Sequence, residues 1–105
     1  MMHLYPVMAP DGKLTVKSSD GPIELLDIVS ILGGGVESFD IEEGYVGFFN
    51  ADAERLGQPQ NAKFPSFSGS VLIARPDPTG TIRGLNTRQN RGINVWVRDS
   101  LPIRA

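Results

Sequence analysis

The sequence contains no cysteine, a single histidine (His3) and a single tryptophan (Trp96) in 105 residues. Without cysteine there are no disulfides, no thiolate nucleophile and no Cys-based zinc site, which fits a reducing cytosol. A metal site would have to combine His3 with carboxylates alone, and no acids stand at ligand spacing. A Ser-His-Asp arrangement would depend on the same histidine, and no nucleophile-elbow pattern accompanies it. The expectation is therefore a non-enzyme with no catalytic residue, no metal and no cofactor. Long hydrophobic runs are missing too. The start, Met1-Met2-His3-Leu4-Tyr5-Pro6, lacks a basic region followed by an apolar run. The longest nearly apolar stretch, Leu25 to Val36, contains Asp27 and Ser30 and is too short to span a membrane. These features lead us to expect a cytoplasmic protein that does not engage membrane.

What is present suits a folded chain. Forty per cent hydrophobic and 21% charged residues are globular values, and the length fits one domain over 1–105. Charge is divided unevenly. Residues 1–54 hold ten acids and two bases, Lys13 and Lys17, a net −8. Residues 55–105 hold two acids, Asp77 and Asp99, and eight bases, a net +6, and together they recover the overall −2. Seven of those bases are arginine. Either the halves neutralise one another, or the arginines form a surface for phosphate or an acidic partner. Contact between the acidic half of one copy and the basic half of another would give a homo-oligomer, with a dimer expected.

Local signals predict an α+β fold: a small, largely antiparallel sheet packed against one main helix at about 22–32. Residues 3–9 and 13–17 read as a hairpin about Pro10-Asp11-Gly12. Residues 36–41 and 45–49 read as a second, about Glu42-Glu43-Gly44. Pro22 at the first helical position and Gly33-Gly34-Gly35 at the end bracket the helix. Those glycines follow a helix rather than precede one, so they read as a cap and not as a phosphate loop. Asn50 is a candidate cap for a short helical turn through Arg55. Residues 57–68 form a loop, and Gly69 to Ala74 a central strand. The segment 86–98 is ambiguous. Asn86 or Thr87 suits a helix cap, but Ile93-Asn94-Val95-Trp96-Val97 alternates and Gly92 interrupts, so the reading is a short helix or turn at 86–91 and a strand at 93–97. The predicted core is Leu26, Val29, Phe39, Phe48, Val71 and Ile73.

Candidate binding residues fall into two groups. Phe64 and Phe67 flank Pro65 beside Lys63. Aromatics next to a base can stack on nucleobases, although such phenylalanines more often pin a loop to the core. Arg88, Arg91 and Arg98 lie among Asn86, Gln89 and Asn90, a donor cluster able to grip phosphate or simply a solvated face. Asp40, Glu42 and Glu43 at the second hairpin read as a surface acidic patch rather than a catalytic pair.

Several motifs recur in a known order: Leu25-Leu26-Asp27-Ile28-Val29 running to Gly33-Gly34, a strand pair ending in Phe49-Asn50, Leu56-Gly57-Gln58-Pro59-Gln60-Asn61, Gly69-Ser70-Val71-Leu72-Ile73 and Gly84-Leu85-Asn86-Thr87. Over residues 23–87 the chain resembles a domain-of-unknown-function family of small proteins from bacteriophages, plasmids and conjugative elements. It departs from that pattern at 50–55 and after residue 87. The resemblance implies a mobile-element origin and a place in the bacterial host cytoplasm, and carries no catalytic residue. It singles out Pro59 and Asn61, whose simplest role is loop architecture. The function expected is a non-enzymatic accessory protein that binds and modulates a host or defence protein. The alternatives are a nucleotide or small-molecule binder using Arg, Asn and Gln groups, and nucleic-acid binding by the basic C-terminal half. The candidate binding residues are Arg88, Arg91, Arg98, Asn61, Lys63, Phe64 and Phe67.

Overall fold

Strand residues alternate between two apolar faces, and each face is covered by its own helix. A computed structural model describes residues 2–100; Met1, and Arg104 of the basic half, lie outside them. The strands are β1 (His3–Met8), β2 (Leu14–Ser19), β3 (Val36–Asp40), β4 (Val46–Asn50) and β5 (Val71–Ala74). They form one antiparallel sheet in the order β2-β1-β5-β4-β3. Both hairpin turns form where expected, and β5 takes the central place. The period of two sends Val71 and Ile73 to one side and Leu72 and Ala74 to the other.

Helix α1 (Leu25–Leu32) covers the side bearing Tyr5, Val7, Phe48, Leu72 and Ala74, through Ile28 and Leu32. It starts later than expected. The Ile23 N–H donates to the Tyr5 hydroxyl at 3.1 Å, which holds this stretch off the helical path. The first turn is instead closed by Glu24, whose N–H donates to the Asp27 carboxylate at 2.9 Å. Pro22 is left outside. Gly33, with φ +86°, ends the helix as predicted. The inward face is the one carrying Ile28 and Leu32; Leu26 is 78% exposed and is not core. Val29 is half-buried, Phe39 packs against the core from its edge, and Phe48, Val71 and Ile73 are buried.

The strand expected at 93–97 is a helix. α2 (Thr87–Ser100) is the longer helix and lies on the opposite side of the sheet, so there are two covering helices and the main one is C-terminal. Its start is fixed by a reciprocal cap: the Gln89 N–H donates to Asn86 Oδ1 at 2.8 Å, and the Asn86 N–H to Gln89 Oε1 at 2.9 Å. Ile93 and Val97, four apart, then fall together on Met8, Val71, Ile73 and Leu85. That burial outweighs the roughly 1 kcal/mol that Gly92 costs a helix. Residues 51–57 form turns rather than a helix, with Asn50 Oδ1 accepting the Asp52 N–H at 2.9 Å. No helix among the described residues is long and apolar enough to cross a membrane.

Candidate functional site

The loop at 60–68 is built around one buried amide. Asn61 is fully buried. Its Nδ2 donates to the carbonyls of Met8 (3.1 Å) and Gly69 (2.9 Å), and its Oδ1 accepts the N–H groups of Lys63 (2.9 Å) and Phe64 (3.0 Å). All four hydrogen-bonding positions of the side chain are used, so Asn61 has none left for a ligand. Further bonds, from Asn61 N–H to Phe67 O and from Ala62 N–H to Pro10 O, both at 2.8 Å, tie the loop to itself and to the first hairpin.

Held in this way, the loop places its phenylalanines against the second hairpin. Phe67 stacks on Phe39 with centroids 4.3 Å apart and planes at 19°, and meets Phe49 at 4.4 Å. Phe64 meets the Phe39 edge at 5.5 Å and Trp96 of α2 at 6.2 Å. Phe39 sits over Gly47, its cross-strand partner in β4. A Cβ at position 47 would fall inside the Phe39 ring's envelope, so glycine is what lets that ring lie flat on the sheet.

A groove of about 380 Å³ opens at the seam between hairpin, loop and α2. Phe39, Phe64, Phe67 and Trp96 line it, together with Asp40 and Glu42 from the hairpin and Lys63 from the loop. A second recess of about 250 Å³ shares Ile41, Glu42 and Trp96 with it and continues to Tyr45 and Gly92. The missing side chain at Gly92 leaves space beside the indole. At the hairpin tip, Glu43 has left-handed backbone with φ +66°, an uncommon conformation for a residue with a side chain. Its carbonyl accepts the Arg75 guanidinium (3.3 Å from Nη2), which also lies 5.6 Å from the Tyr45 ring centroid.

Of the residues anticipated from sequence, Lys63, Phe64 and Phe67 meet at this groove. Phe64 and Phe67 also pin their loop, so structural and surface roles coincide. Arg88, Arg91 and Arg98 lie elsewhere, on the exposed side of α2 around Val95, and do not line the groove. Arg98 pairs with Asp99 at 2.9 Å; that hydrogen bond raises the arginine's pKa and lowers the aspartate's. Sequence reasoning missed Trp96, Phe39 and Ile41 as site residues. The available signal was the Asn86–Gln89 cap, which implies a helix and turns Trp96 toward the loop.

A polar recess of about 360 Å³ lies beside Arg75, Asp77 and Arg83. Its groups already serve one another. Asp77 accepts from the Thr79 hydroxyl, from Arg83 Nε at 2.7 Å and from two turn amides. The Thr79 and Arg83 bonds hold its carboxyl far below the usual carboxylate range. The ion pairs Arg55–Asp52, Arg83–Asp77 and Arg98–Asp99 each join near neighbours in the chain, and of these Arg55–Asp52 crosses from the acidic half to the basic half, where the two adjoin in sequence. Among the described residues no group of three His, Asp or Glu is placed to hold a metal ion. The chain matches no family model, no curated protein and no solved structure.

Proposed function

We propose that this chain is a non-enzymatic accessory protein that docks onto another protein through the aromatic groove. The observation that carries the reading is the set of four rings, Phe39, Phe64, Phe67 and Trp96, around one opening. Aromatic side chains concentrate the energy of protein interfaces. A loop already fixed by Asn61 loses little further freedom on binding, which favours affinity. The family resemblance adds the setting: a protein of a phage or other mobile element acting on a host or defence protein in the bacterial cytoplasm.

The rim argues against a nucleotide in the same place. Asp40 and Glu42 flank the rings, and a phosphate about 4 Å from a carboxylate is repelled by roughly 4 kcal/mol near a protein surface. The test is affinity capture from bacterial lysate with the wild type, Phe67→Ala and Trp96→Ala in parallel, after circular dichroism has shown all three folded. A stoichiometric partner held by the wild type and lost by both variants is expected. A partner retained equally by all three would displace the site, and consistent recovery of none would displace the function. A nucleotide that raises the melting temperature of the wild type but not of Phe67→Ala would move the assignment to the ligand-binding alternative.

A further inference from the structure

We infer that the segment received by the groove is basic, and that its anchor is a lysine or arginine side chain seated between Trp96 and Glu42. The inference rests on the protein-docking reading above and names the chemistry of the partner. Glu42 and Trp96 line both recesses, so any occupant that fills either one meets a carboxylate and an indole together. Asp40 lines the first recess and Glu43 the second. Asp40, Glu42 and Glu43 are exposed and form no ion pair among the described residues. A cation over an indole face, with carboxylates beside it, gains from both the ring quadrupole and the opposite charge.

The molecule holds an internal version of this arrangement. At the same tip, Arg75 lies over the Tyr45 ring at 5.6 Å while donating to the Glu43 carbonyl. The hairpin thus already carries one guanidinium on an aromatic face, and Trp96 with Glu42 offers a ring and an oxygen acceptor to an incoming one. An acidic or phosphorylated segment would meet Asp40 and Glu42 and be disfavoured.

The experiment selects from a library of random twelve-residue peptides on wild-type protein, with counter-selection on Trp96→Ala and, because that variant can fail to fold, on the surface variant Asp40→Lys/Glu42→Lys. Enriched peptides are expected to carry Lys or Arg next to an aliphatic or aromatic residue. Synthetic versions should change the emission of Trp96, the only tryptophan in the chain, bind about tenfold or more weakly to the charge-reversed variant, and weaken with salt. Enrichment of neutral or acidic peptides that still depend on Phe67 and Trp96 would overturn the basic anchor and leave the docking groove standing. Failure to enrich any peptide over the counter-selection proteins would overturn both.

Discussion

The two faces of the sheet differ in how they are covered. On one side a single eight-residue helix sets Ile28 and Leu32 against mainly aliphatic partners, and the one buried phenol, Tyr5, donates its hydroxyl to the Ile82 carbonyl at 2.8 Å. On the other side the cover has two parts, α2 and the loop at 60–68, drawn from distant stretches of chain. A one-piece cover can be sealed by local periodicity. A two-piece cover has a seam, and aromatic rings are the groups large enough to span it. The groove lies at that seam. The α1 side has its own open recess beside Leu25, Val36 and Phe48, but it contains a single ring and a single acid, Glu37.

The comparison can be broken at the shared wall. Ile73 is fully buried on the α2 side of β5, and Ile73→Ala should cost about 2–5 kcal/mol, measured by chemical denaturation. A smaller loss would mean that the α2 side is loosely packed and the groove is not preformed. Gly47→Ala tests the seam: its methyl group must displace Phe39, at about 1–3 kcal/mol, with a change in Trp96 emission that no α1-side substitution should produce. Asn61→Ala removes the loop's central amide and should cost a similar or smaller amount, about 1–3 kcal/mol, by leaving the Met8 and Gly69 carbonyls unpaired. Its distinguishing result is faster proteolysis within 60–68. The smallest effect belongs to Leu26→Ala, expected within about 0.5 kcal/mol because the side chain is exposed. A cost of core magnitude there would show that the α1 side is covered by something else in solution.

Legibility followed the range of the interactions. Both hairpins could be read because Pro10-Asp11-Gly12 and Glu42-Glu43-Gly44 specify turns within a few residues. β5 could be read because Val71-Leu72-Ile73 suits only a strand buried on both sides. The start of α1 could not, since the Tyr5 hydroxyl reaches Ile23 from eighteen positions away. The α2 segment satisfied two periods at once. Ile93, Val95 and Val97 alternate like a strand, while Ile93 and Val97 are also four apart, and the choice was made by Met8 and Val71 on the sheet and Leu85 beside it. The site was half legible for the same reason. Lys63, Phe64 and Phe67 are neighbours in sequence, whereas Trp96 joins them only once the segment is helical. The basic cluster at Arg88, Arg91 and Arg98 was legible as composition, but a helix carries it away from the groove.

The position of β5 also sets a clock. Its four residues are all buried, with β1 on one flank and β4 on the other, so their amide protons reach solvent only when both covers come off together. β2, at the sheet's edge and with Thr15 to Ser18 exposed, can fray alone. Deuterium should therefore enter β2 quickly and Val71–Ala74 last, at the rate of global opening. A groove occupant would slow exchange at β5 by stabilising the whole fold, while leaving the β2 amides on their original timescale.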